Sequence, residues 1–274
     1  MSDKVSLASL AAMKDRGEKI VGMVVWDTHM AAIVDRIGVE IASVGDTVGH
    51  NLWGQANPLE ITLDQMMPVC QAVRRGVRRA LVSADFPFGP LQAGPQQAVD
   101  AAIRMVKEAG VDMIKLDGAA ESPEGVEALV KAGIPVWAQF GITPQTALSY
   151  GMEYKSMNTS EAVVPDEMID RLIEEAKMLE SAGASLLDFT NSGPVVGPAV
   201  VAAVKIPVIG GFGGGPWLDG RVRMAHAAIG YSAAAVDSDA ENYANVGKIA
   251  FEALTSCADD IRAGKQIKGA TKKR

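Results

Sequence analysis

Residues 98–118 read AVDAAIRMVKEAGVDMIKLDG, a helix-like segment that runs into a strand-like one. Ala98, Ala102, Met105 and Val106 recur at helical spacing up to Gly110, which is suited to the left-handed turn that closes a helix. Met113–Gly118 follows as a short apolar run that ends in Asp117-Gly118. Runs of this kind along the chain are mostly continuous rather than alternating and end in Gly or Asp, so they read as strands covered on both faces, with Lys115 and Asp117 here sharing one face. The helix-closing phrase returns in Ala132-Gly133-Ile134 and Ala182-Gly183-Ala184, the latter after the spaced Met168, Leu172, Ala176 and Leu179. Eight strand-like runs emerge: Ile20–Asp27, Ile41–Asp46, Ala80–Phe86, Met113–Gly118, Pro135–Gly141, Ser185–Thr190, Pro207–Gly211 and, with the poorest pattern, Ala233–Asp237. Strand then helix, repeated eight times, predicts an α/β protein of the (β/α)8 TIM-barrel class, preceded by an N-terminal helix before Lys19.

The length of 274 residues suits one such barrel, and no linker rich in Pro, Gly and Ser divides it. A single domain over 1–274 is expected, with residues 265–274 a flexible basic tail carrying Lys265, Lys268, Lys272, Lys273 and Arg274. Apolar residues make up 48% of the chain but aromatics only 5%, so the core must come from Val, Ile, Leu, Met and Ala. The net charge is −7 and the other cations are scattered, which argues against a nucleic-acid partner. Neither a secretion core nor a membrane-length apolar run is present, so a cytoplasmic protein with no membrane partner is expected. Cys70 and Cys257, far apart in helical stretches, read as buried free thiols.

In a barrel of this kind the strand C-terminal ends and the loops after them carry the chemistry. Asp46, Asp85 and Asp117 end the second, third and fourth runs, so three neighbouring strands deliver acids to one mouth. Any one of them could be a helix cap. Three together would repel in a partly dry pocket, and a hard divalent cation with oxygen ligands is the usual remedy, with Mg2+ the natural candidate. Lys115 shares a face with Asp117, and Asp188 with Thr190, because side chains two apart on a strand point the same way. Lys115 either pairs structurally with an acid or contacts an anionic substrate, and the second is favoured. The glycine run 210–215 follows the seventh run, where barrels can bind phosphate, although it also allows close packing. His29, His50 and His226 form no zinc-ligand pattern, and no serine has the partners of a nucleophile triad.

Several of these segments resemble the ketopantoate hydroxymethyltransferase family. Val44-Gly45-Asp46-Thr47-Val48-Gly49, Val73-Arg74-Arg75-Gly76, Ala84-Asp85-Phe86-Pro87-Phe88, Ile114-Lys115-Leu116-Asp117-Gly118 and Gly141-Ile142-Thr143-Pro144-Gln145 are similar to its motifs, in order, over residues 20 to 235. The resemblance implies Mg2+ held by Asp46 and Asp85 with Asp117 at or near its shell. It further implies a 2-oxo acid contacted by Thr47 and Lys115, 5,10-methylenetetrahydrofolate as co-substrate, a homo-oligomer, and a place in pantothenate biosynthesis.

The implied chemistry is Mg2+-dependent enolisation of a small 2-oxo acid followed by aldol-type hydroxymethyl transfer. Two positions depart from the family at the reacting end. Gln139 stands where the family has His, and can bind the substrate carboxylate but cannot carry a proton. Thr190 stands where the family has the catalytic Glu, so the proton-transfer role falls to Thr190 or to the nearby Asp188. Asp188 reads equally as a buried acid paired within the barrel. A second reading is a Mg2+-dependent carbon–carbon lyase, aldolase or mutase that uses no folate, of the phosphoenolpyruvate mutase and isocitrate lyase kind. A third is a non-catalytic barrel subunit.

Overall fold

Short apolar runs and the amphipathic segments between them alternate along the chain as strands and helices. The computed structural model describes residues 4–157 and 162–269. Its strands are β1 (Ile20–Val24), β2 (Ile41–Val44), β3 (Leu81–Asp85), β4 (Met113–Leu116), β5 (Val136–Gly141), β6 (Leu186–Thr190), β7 (Val208–Gly210) and β8 (Gly220–Met224). They close into a barrel in sequence order, with parallel neighbours. The helices are α1 (Leu7–Asp15), α2 (Thr28–Ile37), α3 (Val48–Trp53), α4 (Leu63–Gly76), α5 (Pro95–Ala109), α6 (Pro123–Lys131), α7 (Ile169–Ser181), α8 (Val196–Ala203), α9 (Ala225–Ala228) and α10 (Val246–Arg262). The expected TIM barrel with its N-terminal helix is therefore present.

The eighth strand is not where the sequence reading put it. Ala233–Asp237 is a 3-10 turn opened by the Ser232 hydroxyl, which accepts from the Ala235 amide. The strand is Gly220–Met224 instead, with Val222 turned into the core and Arg221 and Arg223 exposed. An outer face that stays wet gives alternation in place of an unbroken apolar run, and a search for unbroken runs passes over it.

The chain divides into two compact units, Met1–Arg223 and Met224–Arg274. In the first, Ile20, Ile41, Leu81, Met113, Trp137, Leu186, Ile209 and Val222 form one layer inside the barrel, and Val5 and Leu10 pack against it. Helix α1 thus plugs the N-terminal end, while the Lys14 ammonium donates to the Val201 and Ile206 carbonyls and pairs with Asp219 at 3.0 Å. With that end sealed by apolar packing, polar side chains can face the interior only higher up the strands. The second unit holds α9, the 3-10 turn and α10. Cys70 on α4 is buried, but Cys257 on α10 is exposed, contrary to expectation, because the helical line it shares with Leu254 and Ile261 is itself exposed. Of the basic tail, Lys265 and Lys268 are exposed, and residues 270–274 lie outside the described residues. Among the described residues no helix is long and apolar enough to cross a membrane.

The α1 plug carries a stability prediction. Leu10 is fully buried, so Leu10→Ala should cost about 2–5 kcal/mol in chemical denaturation. A loss below about 0.5 kcal/mol, the range of surface substitutions, would show that α1 does not close the barrel.

Candidate active site

Strand register brings the polar residues together before any side chain is considered. Asp85 lies beside Lys115, Lys115 beside Trp137, Gln139 beside Asp188, and Gly141 beside Thr190. Above the apolar layer these positions form a polar belt. It consists of Lys115 from β4, Gln139 from β5 and Asp188 from β6, all buried, with Asp85, Asp117 and Thr190 nearer the mouth.

Asp85 is the last residue of β3, whereas Asp46 and Asp117 lie just beyond β2 and β4. None of the three caps a helix. That role belongs to Asp27, whose carboxylate accepts from the Met30 amide at the start of α2. The Asp46 amide points at Asp85 Oδ2 over 3.4 Å, and a side chain added at Gly45 would press against Thr47 Oγ1 and lie 3.7 Å from Asp85 Oδ2. A residue without a β-carbon is what lets Thr47 and Asp85 close in on this turn.

The carboxylates outnumber the cation among them. Burial, together with the neighbouring Asp85 and Asp117, raises the Asp46 carboxyl well above the ordinary carboxylate range, with Lys115 and Gln145 opposing. Burial also pushes Asp117 up to about 7, against the Thr143 hydroxyl, the stabilising Lys115 charge and the Gln145 amide. Among the described residues, the buried oxygens Asp117 Oδ1 and Thr47 Oγ1 have no hydrogen-bond partner. Hydroxyl and carboxylate oxygens left bare in this way suit a hard cation. Among the described residues no three His, Cys, Asp or Glu side chains converge tightly enough to enclose a metal by themselves. Mg2+ commonly takes only one or two protein carboxylates and completes its shell with water and substrate, so the set fits that ion better than a caged one.

Lys115 does not stand free beside the acids. Its ammonium donates to Gln139 Oε1 at 2.6 Å and lies 3.2 Å from Asp188 Oδ2 and 3.4 Å from Asp85 Oδ2. Burial works to lower its basicity, but Asp85, Asp188, Asp46 and Asp117 overcome this and raise it above the ordinary lysine value. Because an ammonium can only donate, the Gln139 oxygen must face it, which leaves the Gln139 amide to donate to Thr190 Oγ1 at 2.8 Å. A continuous chain Asp188–Lys115–Gln139–Thr190 therefore crosses three strands. Burial raises Asp188 against the pull of Lys115, and its Oδ1 lacks a side-chain partner.

Two neighbours were not singled out from the sequence. Gln145 donates its backbone amide to Asp117 Oδ2 at 3.1 Å, and its side-chain nitrogen lies 3.3 Å from the Phe86 carbonyl and 3.5 Å from Asp46 Oδ2. It stitches the three acid-bearing loops together; its place at the end of the Gly-Ile-Thr-Pro-Gln segment was the available signal. Tyr154, in the loop after β5, meets Phe212 edge-on with centroids 6.5 Å apart. Burial and the charges of Asp46 and Asp85 push its phenol up to about 12, so it stays a proton donor at neutral pH.

Asn191, just beyond β6, adopts φ 57°, and its side chain donates to the Ile142 carbonyl at 3.1 Å. The glycine run serves close packing here, since a β-carbon on Gly213 would collide with Asn191 and one on Gly210 would sit 2.8 Å from the Phe189 carbonyl. His50 lies in α3 with its Nδ1 2.8 Å from the Gln55 carbonyl.

Residues 4–266 match the family model described as ketopantoate hydroxymethyltransferase. The 3-methyl-2-oxobutanoate hydroxymethyltransferase of Salinibacter ruber is 35% identical over 260 residues, covering 94% of this chain and 95% of that protein. The enzyme of the same name from Thermobifida fusca is 37% identical over 261 residues, covering 95% and 90%. Among solved structures, 2,3-dimethylmalate lyase, a PEP mutase/isocitrate lyase superfamily member, superposes with a TM-score of 0.60 over 97% of this chain and 92% of that one. At 14% identity, that likeness speaks to the fold alone.

The strained protonation of Asp117 has a measurable sign. Its carboxyl holds a proton more tightly folded than unfolded, so its contribution to stability is complete below the unfolded carboxylate range and is lost as pH rises through about 7. Without divalent cations, Asp117→Asn should therefore be more stable than the parent at pH 8, by on the order of 2–4 kcal/mol, and close to it near pH 4. A variant less stable than the parent at pH 8 would contradict this electrostatic reading.

Proposed function

The chain belongs to the ketopantoate hydroxymethyltransferase family, and from this we propose that it enolises a small 2-oxo acid with the help of Mg2+ and adds a hydroxymethyl unit to carbon 3. The substrate favoured is 3-methyl-2-oxobutanoate, named in its relatives, and the one-carbon donor proposed is 5,10-methylenetetrahydrofolate. The observation that carries this reading is the crowd of acids around Lys115, with Thr47 Oγ1 and Asp117 Oδ1 left bare.

Asp46 and Asp85 would hold Mg2+, with Asp117 completing or hydrogen-bonding its shell, and the ion would supply positive charge to the carboxylate and ketone oxygens of the 2-oxo acid. The residues of the chain do the rest. Thr47, its hydroxyl uncommitted, donates to a substrate oxygen. Lys115 provides a fixed charge beneath the substrate, and Gln139 holds that charge in place. Gln145 fixes the direction of Asp117. Thr190, already accepting from Gln139, serves as an anchor of this chain; a hydroxyl is a poor base near neutrality, so the carbon-3 proton passes to solvent water at the mouth, and water supplies the new hydroxyl as tetrahydrofolate leaves the one-carbon unit. The proposal extends to a homo-oligomeric, cytoplasmic enzyme of pantothenate biosynthesis.

A second reading is kept because of Thr190. With no carboxylate at the end of β6 (Thr190), the same enolate could arise by cleavage of a carbon–carbon bond, as in a lyase that needs no folate. The bare oxygens of Thr47 and Asp117 weigh against a barrel without catalysis.

Incubation with Mg2+ and 3-methyl-2-oxobutanoate in heavy water, followed by proton NMR, tests the enolisation. The carbon-3 proton should exchange with deuterium only when Mg2+ is present, and Asp85→Asn should slow exchange at least about 100-fold, the scale of losing one electrostatic stabiliser. Adding methylenetetrahydrofolate should then convert exchange into a hydroxymethylated product. No exchange across a panel of small 2-oxo acids would sink the proposal; exchange without folate-dependent product would favour the lyase.

A further inference from the structure

Asp188 is the buried acid that the proposed reaction leaves unused. It sits two residues deeper on β6 than Thr190 and is only 3% exposed; among the described residues its close charged partner is Lys115, 3.2 Å away, and the Gly211 amide also hydrogen-bonds it. A buried carboxylate in a barrel interior is costly unless it is paired, so its retention at this depth asks for a reason.

The geometry around Lys115 supplies one. Of its three polar contacts, the two shorter ones, 2.6 Å to Gln139 and 3.2 Å to Asp188, lie on the β5 and β6 side. The longest, 3.4 Å, reaches Asp85 on β3. Below the ammonium the Trp137 ring, with its centroid 5.6 Å away, favours a cation at the same depth. Lys115 already donates to Asp85 Oδ2 at 3.4 Å; released from Asp188 and Gln139 it would close further onto that oxygen and occupy the lone pairs that a divalent cation needs.

We propose that Asp188 is a positioning residue, a counter-ion that with Gln139 keeps Lys115 drawn toward β6 so that Asp46 and Asp85 stay open to a divalent cation. The assignment rests on the Mg2+ site of the functional reading but concerns a different residue and a different measurement. It also separates two effects that look alike. If Asp188 acted only through the field of its charge, a neutral change at Gln139 would leave cation binding untouched; if it acts by holding Lys115, loosening either anchor frees the ammonium to compete for Asp85.

The test is Mg2+ binding by calorimetry on the full-length protein, with thermal unfolding run in parallel to confirm folding. Asp188→Asn keeps the side-chain shape, and Gln139→Met keeps both volume and net charge. Each should weaken Mg2+ binding on the order of tenfold, the scale of one partly screened charge moved a few ångströms. Adding Lys115→Met to Asp188→Asn should restore binding to at least the parental level, because the competitor is then gone. Parental affinity in both single variants, or weakening in Asp188→Asn with Gln139→Met unchanged, overturns the positioning role. A parent protein that binds no Mg2+ instead overturns the functional reading on which the role rests.

Discussion

The pairing of one buried ammonium with several carboxylates sets the terms for everything at the mouth of this barrel. Asp46, Asp117 and Asp188 are buried and Asp85 is partly so, yet the described cation placed among them is Lys115. Burying like charges is expensive, and the protein distributes that cost in two ways. On the β5 and β6 side the charges are satisfied internally through Lys115, Gln139 and Thr190. On the β2, β3 and β4 side they are left under-satisfied, with Asp46 and Asp117 protonated more readily than ordinary carboxyls. The first half is internally paired; the second is where, in the proposed function, a divalent cation would bind.

The rest of the fold makes this imbalance possible. Helix α1 and the apolar layer around Trp137 seal one end, so the polar belt meets water from the mouth alone. Parallel register then sets Asp85 against Lys115 and Gln139 against Asp188 with no contribution from flexible loops. Loop residues add the finer positioning: Gln145 ties Asp117 and Asp46 to the Phe86 backbone, and Asn191 in its left-handed conformation ties the end of β6 to that of β5.

Much of this was legible in the residues themselves. Strands β1 to β7 were legible as mainly apolar runs, interrupted only from the inner face by residues such as Lys115, Gln139 and Asp188, and β8 escaped because its exposed arginines break the run on the other face. The acids at strand ends could be collected from the barrel rule alone, since Asp46, Asp85 and Asp117 fall at the ends of adjacent runs. What the sequence could not display was which of several partners a buried side chain would choose. Lys115 was expected to reach for substrate, yet its shortest contacts are Gln139 and Asp188, residues 24 and 73 positions away that only strand register brings alongside. Gln145 was hidden for the same reason, its role lying in contacts to three separate loops. The depth of Asp188 relative to Thr190 followed from alternation along a strand; its pairing did not.

A crystal structure of the protein soaked with Mg2+ and 3-methyl-2-oxobutanoate would put the whole account to one observation. The account predicts the ion on Asp46 and Asp85 with the 2-oxo acid completing its shell, and Lys115 still held by Asp188 and Gln139. An empty acid cluster with Lys115 swung onto Asp85, or the 2-oxo acid bound by Lys115 away from those acids, would contradict it.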